Sequence, residues 1–369
     1  MFVWPQFRSI NPISLNNNIK YSDGSLEFFR GSFFISRVRP LQLWLAAFLF
    51  LLTQWASWAG TWTALIHSPP EAINTMLLKP DGTVMAAGAN TQSLWYRLTP
   101  DASGSYVNGT WTTLAAMHDT RLYFSSQVLT NGRVLVAGGE YGTGTTNSEV
   151  YDPVNNTWTT VPLPAGLITM NNVPDASTGQ NSAGFLDSGS EMLPNGNVLI
   201  APVFPVNYGG TVIYNVSANS WQAGPTLYRG FYQDEASWVK LADQSILTID
   251  PFGTNSERYI PALNQWVNDA NVPVQLYDPY GSELGAAFLL PDGRAFYLGS
   301  TGKTALYTPS GSSSPGSWVA GPVIPNAQGT PDAPAAMMVN GVVLCAVSPV
   351  PTSANHFPTP VSFYEYDPV

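Results

Sequence analysis

Charge is scarce in this 369-residue chain: Asp, Glu, Lys and Arg make up 10% of it, and only 14 residues are basic against 24 acidic ones. The formal net charge is −10, and no basic block could follow a phosphate backbone, which excludes nucleic acid as a partner. Cysteine occurs once, at Cys345, ruling out an internal disulfide and any zinc site built on several cysteines. Long apolar runs are missing too. The longest, LQLWLAAFLFLL from Leu41 to Leu52, is shorter than the roughly 20 residues needed to span a hydrocarbon layer. Turn formers are abundant instead, with 32 Gly and 31 Pro beside a hydrophobic fraction of 44%. Such a chain is too apolar for disorder and too often interrupted for a helical fold.

The short apolar run follows Arg30, Arg37 and Arg39 and precedes Ser57-Trp58-Ala59, small residues where a signal peptidase cuts. Residues 40–59 are therefore expected to be a cleaved secretory signal, and residues 1–39 an extra segment, disordered or owed to a misplaced start. The rest, 60–369, is expected to be exported to the medium or periplasm as a monomer with no membrane attachment. An uncleaved anchor reaching Trp58 is the alternative. No Arg-Arg pair supports twin-arginine export.

After Gly60 three phrases recur six times. The first is an apolar run, a tight turn and a second apolar run: LLKPDGTVMAAG, VLTNGRVLVAGG, MLPNGNVLIAPV, WVKLADQSILTID, FLLPDGRAFYLG and MMVNGVVLCAVS. Asp-Gly and Asn-Gly tolerate positive φ, so each phrase predicts a β-hairpin; Asp243-Gln244 is the degenerate copy. The second is a short strand ending in tyrosine, as in SEVYDPVN and FYEYDPV. The third is a small residue and a tryptophan, at Trp62, Trp111, Trp158, Trp221, Trp266 and Trp318. Four strands per unit of about fifty residues predict an all-β, six-bladed β-propeller of four-stranded blades. Because the repeat begins with a tryptophan strand and ends with a tyrosine strand, the N-terminal strand around Trp62 should pair beside Tyr364–Asp367 and close the ring.

Hairpin, paired glycines, Tyr-Asp-Pro and a following tryptophan resemble the kelch repeat, most fully in RVLVAGGEYGTGTTNSEVYDPVNNTWTTV, Arg133 to Val161. The stretch HDTRLYFSSQVLTNGRVLVAGG, His118 to Gly139, resembles an early blade of the galactose oxidase-like copper radical oxidases. That resemblance implies two histidine ligands, two tyrosines and a cysteine crosslinked to one of them. The chain departs from it: Leu122 stands where the cysteine would fall, Glu283-Leu284 where a Tyr-His pair is expected, and Cys345 lies inside an apolar strand. The copper radical site is expected to be missing. A kelch propeller by itself specifies no activity.

Chain direction places the leads into the first strands and the second-to-third connections on one face. Two long loops, Pro162 to Ser188 and SPVPTSANHFPTP in blade six, should overhang it. The first-strand leads carry Glu71, His118, Asp119, Arg121, Tyr123, Asp187, Glu191, Arg229, Tyr232, Asp234, Glu235, Tyr280, Glu283 and Asp332. The ligand-binding candidates are His118, Asp119, Arg121, Tyr123, Glu191, Arg229, Tyr232, Asp234, Glu235 and Glu283. They suit a carbohydrate or protein partner, because converging carboxylates and aromatic faces bind polyhydroxylated ligands. Asp234, Glu235 and Glu283 are the acid–base candidates should the site be that of a carbohydrate-active hydrolase, lyase or oxidase. No cofactor is expected beyond an optional divalent cation. His67, His118 and His356 fall on the same face and are weak metal candidates.

Overall fold

The computed structural model describes residues 7–9, 63–144, 147–163, 166–167, 173–174, 181–182, 187–203, 209–230, 233–281 and 283–368. Five four-stranded antiparallel sheets follow one another along the chain. Blade one comprises Ile73–Leu78, Val84–Gly88, Trp95–Thr99 and Thr110–Thr113. Blade two comprises Ser125–Val128, Val134–Ala137, Asn147–Asp152 and Thr157–Pro162. Blade three is Ser190–Met192, Val198–Ile200, Val212–Asn215 and Ser220–Ala223, and blade four is Trp238–Lys240, Ile246–Ile249, Ser256–Ile260 and Gln265–Asn268. Blade five is Ala287–Leu289, Ala295–Leu298, Thr304–Thr308 and Ser317–Ala320. Blade six has Ala335–Met337, Val343–Pro349 and Ser362–Tyr366, with Gln328–Gly329 pairing the far end of its second strand. The ring is the expected six-bladed propeller, and no helix occurs among the described residues.

Burial follows strand position. The second strands of blades two to five are buried throughout, whereas the fourth strands alternate towards solvent. Apolar runs such as VLVA and AFYL are what a strand covered on both faces requires. Neighbouring blades share apolar clusters, for example Val136 and Trp158 of blade two with Met85 and Trp95 of blade one. The repeated tyrosine and tryptophan hold each blade's outer turn. In blades two, three and four the third-strand hydroxyls of Tyr151, Tyr214 and Tyr259 donate to Asn156, Asn219 and Asn264 over 2.5 to 3.0 Å. Those asparagines have φ of 48 to 51°, a left-handed turn that asparagine accepts readily. The paired tryptophan packs its ring 5.2 to 5.6 Å from the tyrosine. Several of these indoles also reach the preceding blade: Trp158 Nε1 donates to Ala115 O at 2.9 Å and Trp221 Nε1 to Ser148 Oγ at 2.9 Å.

Closure comes from an unexpected segment. The strand beside Ser362–Tyr366 is Phe7–Ser9, in antiparallel register with Phe7 opposite Tyr366 and Ser9 opposite Tyr364. Residues 7–9, expected outside the propeller, thus belong to its sixth sheet. Trp62 lies outside the described residues, and 63–72 carry no strand. The physical demand is the one anticipated, since an open sheet edge needs backbone partners. That demand is indifferent to side chains, and a three-residue extended segment meets it. The expected signal segment, 40–59, also lies outside the described residues.

Candidate functional site

The lead into the first strand adopts the same conformation in four blades. Tyr123, Asp187, Glu235 and Asp332 have φ of 49, 40, 56 and 44°, left-handed values that L side chains adopt at a cost. Each stands nine residues ahead of the hairpin-turn residue of its blade, Gly132, Gly196, Gln244 and Gly341. Blade five has the buried Leu284 at this position, and Glu283 just before it supplies the carboxylate. These residues surround the axis. Tyr123, Asp187, Glu235 and Asp332 line two successive cavities. One, of about 340 Å³, runs down the channel past Ser188, Ala236, Gly285 and Ala333. The other, of about 520 Å³, opens to the long-loop face and is walled by Glu140, Tyr141, Asp234, Gly281, Glu283 and Phe357.

Buried neighbours hold the ring in place. Gln233 Oε1 accepts from Trp238 Nε1 at 3.0 Å and Thr248 Oγ1 at 2.6 Å, pinning the residue before Asp234 and Glu235. Asp234 bridges by its backbone to Ser188, which ties blade four's lead to blade three's. Asp278 accepts the Tyr280 and Gly281 amides, shaping the turn that delivers Glu283. A side chain on Gly285 would run into Thr330 Oγ1 and Leu298 O, so the leads of blades five and six approach closely only because this residue is glycine.

Ligand atoms of Asp187, Asp234 and Glu235 lie within 4.8 Å of one another, as do those of Glu235, Glu283 and Asp332. No Lys, Arg or His is among the described residues lining either cavity. Burial and mutual repulsion therefore favour the protonated acids. Asp187 is pushed up to about 8, Glu235 to about 10 and Glu283 to about 7, while burial raises Asp234 and Asp332. Carboxylate oxygens of Glu235 and Glu283 lie within 4.8 Å of one another, so a charge on either disfavours a charge on the other. Exposed aromatic rings stand above the acids: Tyr123 and Tyr141 meet edge to face at 5.9 Å, and Phe357 faces the same cavity.

Of the residues expected to bind ligand, Tyr123, Asp234, Glu235 and Glu283 meet in this pit; Tyr232 lies outside the described residues. The others do not line it. The Arg121 guanidinium, fully buried in blade two, donates to Glu149 Oε1 at 2.8 Å and to the carbonyls of Gly138, Gly144 and Asn147. Glu149 also accepts the backbone amides of His118 and Asp119, and its Oε2 lies 2.7 Å from His118 Nδ1. Asp119 bonds Thr143 and Asn147. Blade four repeats the device, with Glu257 accepting the Tyr228 and Arg229 amides while the Arg229 side chain bonds Asn268. Glu191 lies below the pit, 3.6 Å from Lys240 Nζ. Glu140, Tyr141 and Phe357 sit in second-to-third connections, which the sequence places on this face without singling out these residues. Asp187 and Asp332 were visible only as polar first-strand leads; counting nine residues back from each turn glycine would have singled them out.

The histidines do not assemble: no group of potential metal ligands among the described residues contains one. His67 Nδ1 instead lies 3.0 Å from Gly109 O, and the His356 ring lies 6.2 Å from that of Tyr280. The acidic triads suit a hard cation with oxygen ligands. The described lining of the pit carries Tyr123 and Tyr141 but no histidine or cysteine. Cys345 is buried against Tyr364 O, and burial pushes its thiol up to about 12.

A family model, the Kelch motif, matches residues 122–162, the span of blade two. No curated protein matches the chain. Among solved structures, a fungal alcohol oxidase of the AA5 family, in complex with copper, is similar with a TM-score of 0.57 and 20% identity. The match covers 80% of this chain and 62% of the oxidase, so the propeller corresponds to less than two thirds of that protein. A streptogramin B lyase is similar with a TM-score of 0.53 and 8% identity, over 82% of this chain and 81% of its own. At such identities the likeness is one of fold. The chain is a six-bladed β-propeller that carries a Kelch motif in its second blade.

Proposed function

We propose that this chain is an exported binding module that holds a carbohydrate in the axial pit. The observation that carries the reading is the pairing of a carboxylate ring with exposed Tyr123, Tyr141 and Phe357 around one cavity of about 520 Å³. Carboxyl groups accept and donate hydrogen bonds to vicinal hydroxyls, and aromatic faces cover the apolar side of a sugar ring. Left-handed backbone at four ring positions and unneutralised acids at its centre both oppose folding, a cost expected where residues are placed for binding. A divalent cation held by either triad would displace the protons these acids retain and bring the carboxylates together as oxygen ligands. A glycan array followed by calorimetry, with and without calcium, tests the reading. Saturable binding that Glu235→Gln abolishes in a folded protein supports it, and a blank array with silent calorimetry rejects it.

A second reading is a carbohydrate-active enzyme in the same pit. It is favoured by acids that titrate apart, Glu283 near 7 beside Glu235 near 10, which matches an acid and its partner working close to neutrality. Turnover of a bound glycan, lost in Glu235→Gln, distinguishes it from binding alone.

A further inference from the structure

Beside the pit, blade six carries a second cavity of about 420 Å³ with a different character. Its walls are Pro331, Pro334, Ala346, Val347, Phe357, Pro358, Val361 and Phe363, with Asp332 and Ser348 among the few polar residues. Asp332 and Phe357 line this groove and the pit alike, so the two cavities meet across one carboxylate and one ring. Strand alternation explains why the groove is available. Val343, Cys345 and Val347 pack with Phe296 and Leu298 of blade five, which turns Ala346 to the opposite face, where Phe363 is its register partner. Phe357, Val361 and Phe363 remain exposed along it.

Resting on the carbohydrate reading above, we infer that the ligand is an amphiphilic glycoside: its sugar occupies the carboxylate pit and its apolar aglycone lies in the blade-six groove. A sugar alone leaves the groove wetted, whereas an alkyl or aryl substituent leaving the pit past Phe357 removes water from Val361 and Phe363. Carboxylates at one end and apolar walls at the other select a molecule divided in the same way. Asp332 at the junction lies where the polar head gives way to the tail.

The test uses N-phenyl-1-naphthylamine, a neutral fluorophore that brightens in apolar sites, with methyl and octyl β-D-glucoside as competitors below micellar concentration. The full chain should bind the dye saturably at one site. Each methylene taken up by the groove tightens binding about fourfold, so octyl glucoside should displace the dye at least about fiftyfold better than methyl glucoside. Val361→Glu, at an exposed position on the groove wall, should weaken dye and octyl glucoside at least about tenfold and leave calorimetric binding of any pit sugar unchanged. Absence of dye binding, equal displacement by the two glucosides, or indifference to Val361→Glu overturns the inference. Failure of the carbohydrate reading shows separately, as the lack of any sugar whose binding depends on Glu235.

Discussion

Raising the pH from 5 to 7 should weaken this fold, and the pit sets the size of the effect. In the folded ring Asp187, Glu235 and Glu283 keep their protons up to about 8, 10 and 7. In an unfolded chain the same side chains release them near pH 4. Between those limits the folded state binds more protons than the unfolded one. Stability is therefore full below about pH 4 and is lost as the pH climbs towards the folded values. The carboxylates held below their ordinary range, such as Glu71, Asp81 and Asp292, act in the opposite sense and only below that window. Each retained proton contributes a slope of about 1.4 kcal/mol per pH unit. Sharing of protons across the cluster and the open mouth of the pit reduce three formal protons to about one, for a loss of ~2.7 kcal/mol between pH 5 and 7. Glu235→Gln keeps the shape and removes the group common to both triads, so the loss should at least halve, and the variant should exceed the parent by ~1 kcal/mol at pH 7. Urea denaturation followed by tryptophan fluorescence at pH 5, 6 and 7 measures both. A parent stability that is flat or rises over this range refutes the protonated ring.

Arg121→Met should cost about 3–5 kcal/mol in the same denaturation assay, because Glu149 is left buried without its cation; unchanged stability with lost ligand affinity would instead return Arg121 to the binding site. Gln244→Gly should gain roughly 0.5 kcal/mol, since Gln244 holds φ of 69° at the turn position where the other five hairpins have glycine; a lower urea midpoint would contradict that assignment of strain. Tyr123→Ala should weaken glycan binding about tenfold by removing one aromatic wall, read by calorimetry against an unchanged urea midpoint.

The propeller was legible because its determinants are local and repeated six times. A turn Asp-Gly or Asn-Gly, a buried VLVA-type strand, a tyrosine and a tryptophan fall within about thirty residues of one another. The site is built across blades, from residues far apart in the chain that share only a position relative to their own hairpins. Reading charge type alone placed Arg121, His118 and Asp119 in the site beside Glu235. In the structure none of the three lines the pit: Glu149 in the adjoining third strand accepts the Arg121 guanidinium and the backbone amides of His118 and Asp119. The identity of the closing strand was illegible for another reason, since an edge of backbone amides and carbonyls does not discriminate between the segments able to reach it.

Closure by three residues also bears on the pit. Asp332 reaches the axis from blade six, the blade that Phe7–Ser9 joins, while Asp187 and Glu235 reach it from blades whose outer strands follow directly in sequence. The circumference is fastened beside one of its own ligand-facing acids by a segment from the other end of the sequence, and separation there would widen the aperture by drawing Asp332 outward. A guest spanning Asp332 and Asp187 would act as a spoke, opposing that widening, and its grip should be felt as slower amide exchange along Ser362–Tyr366.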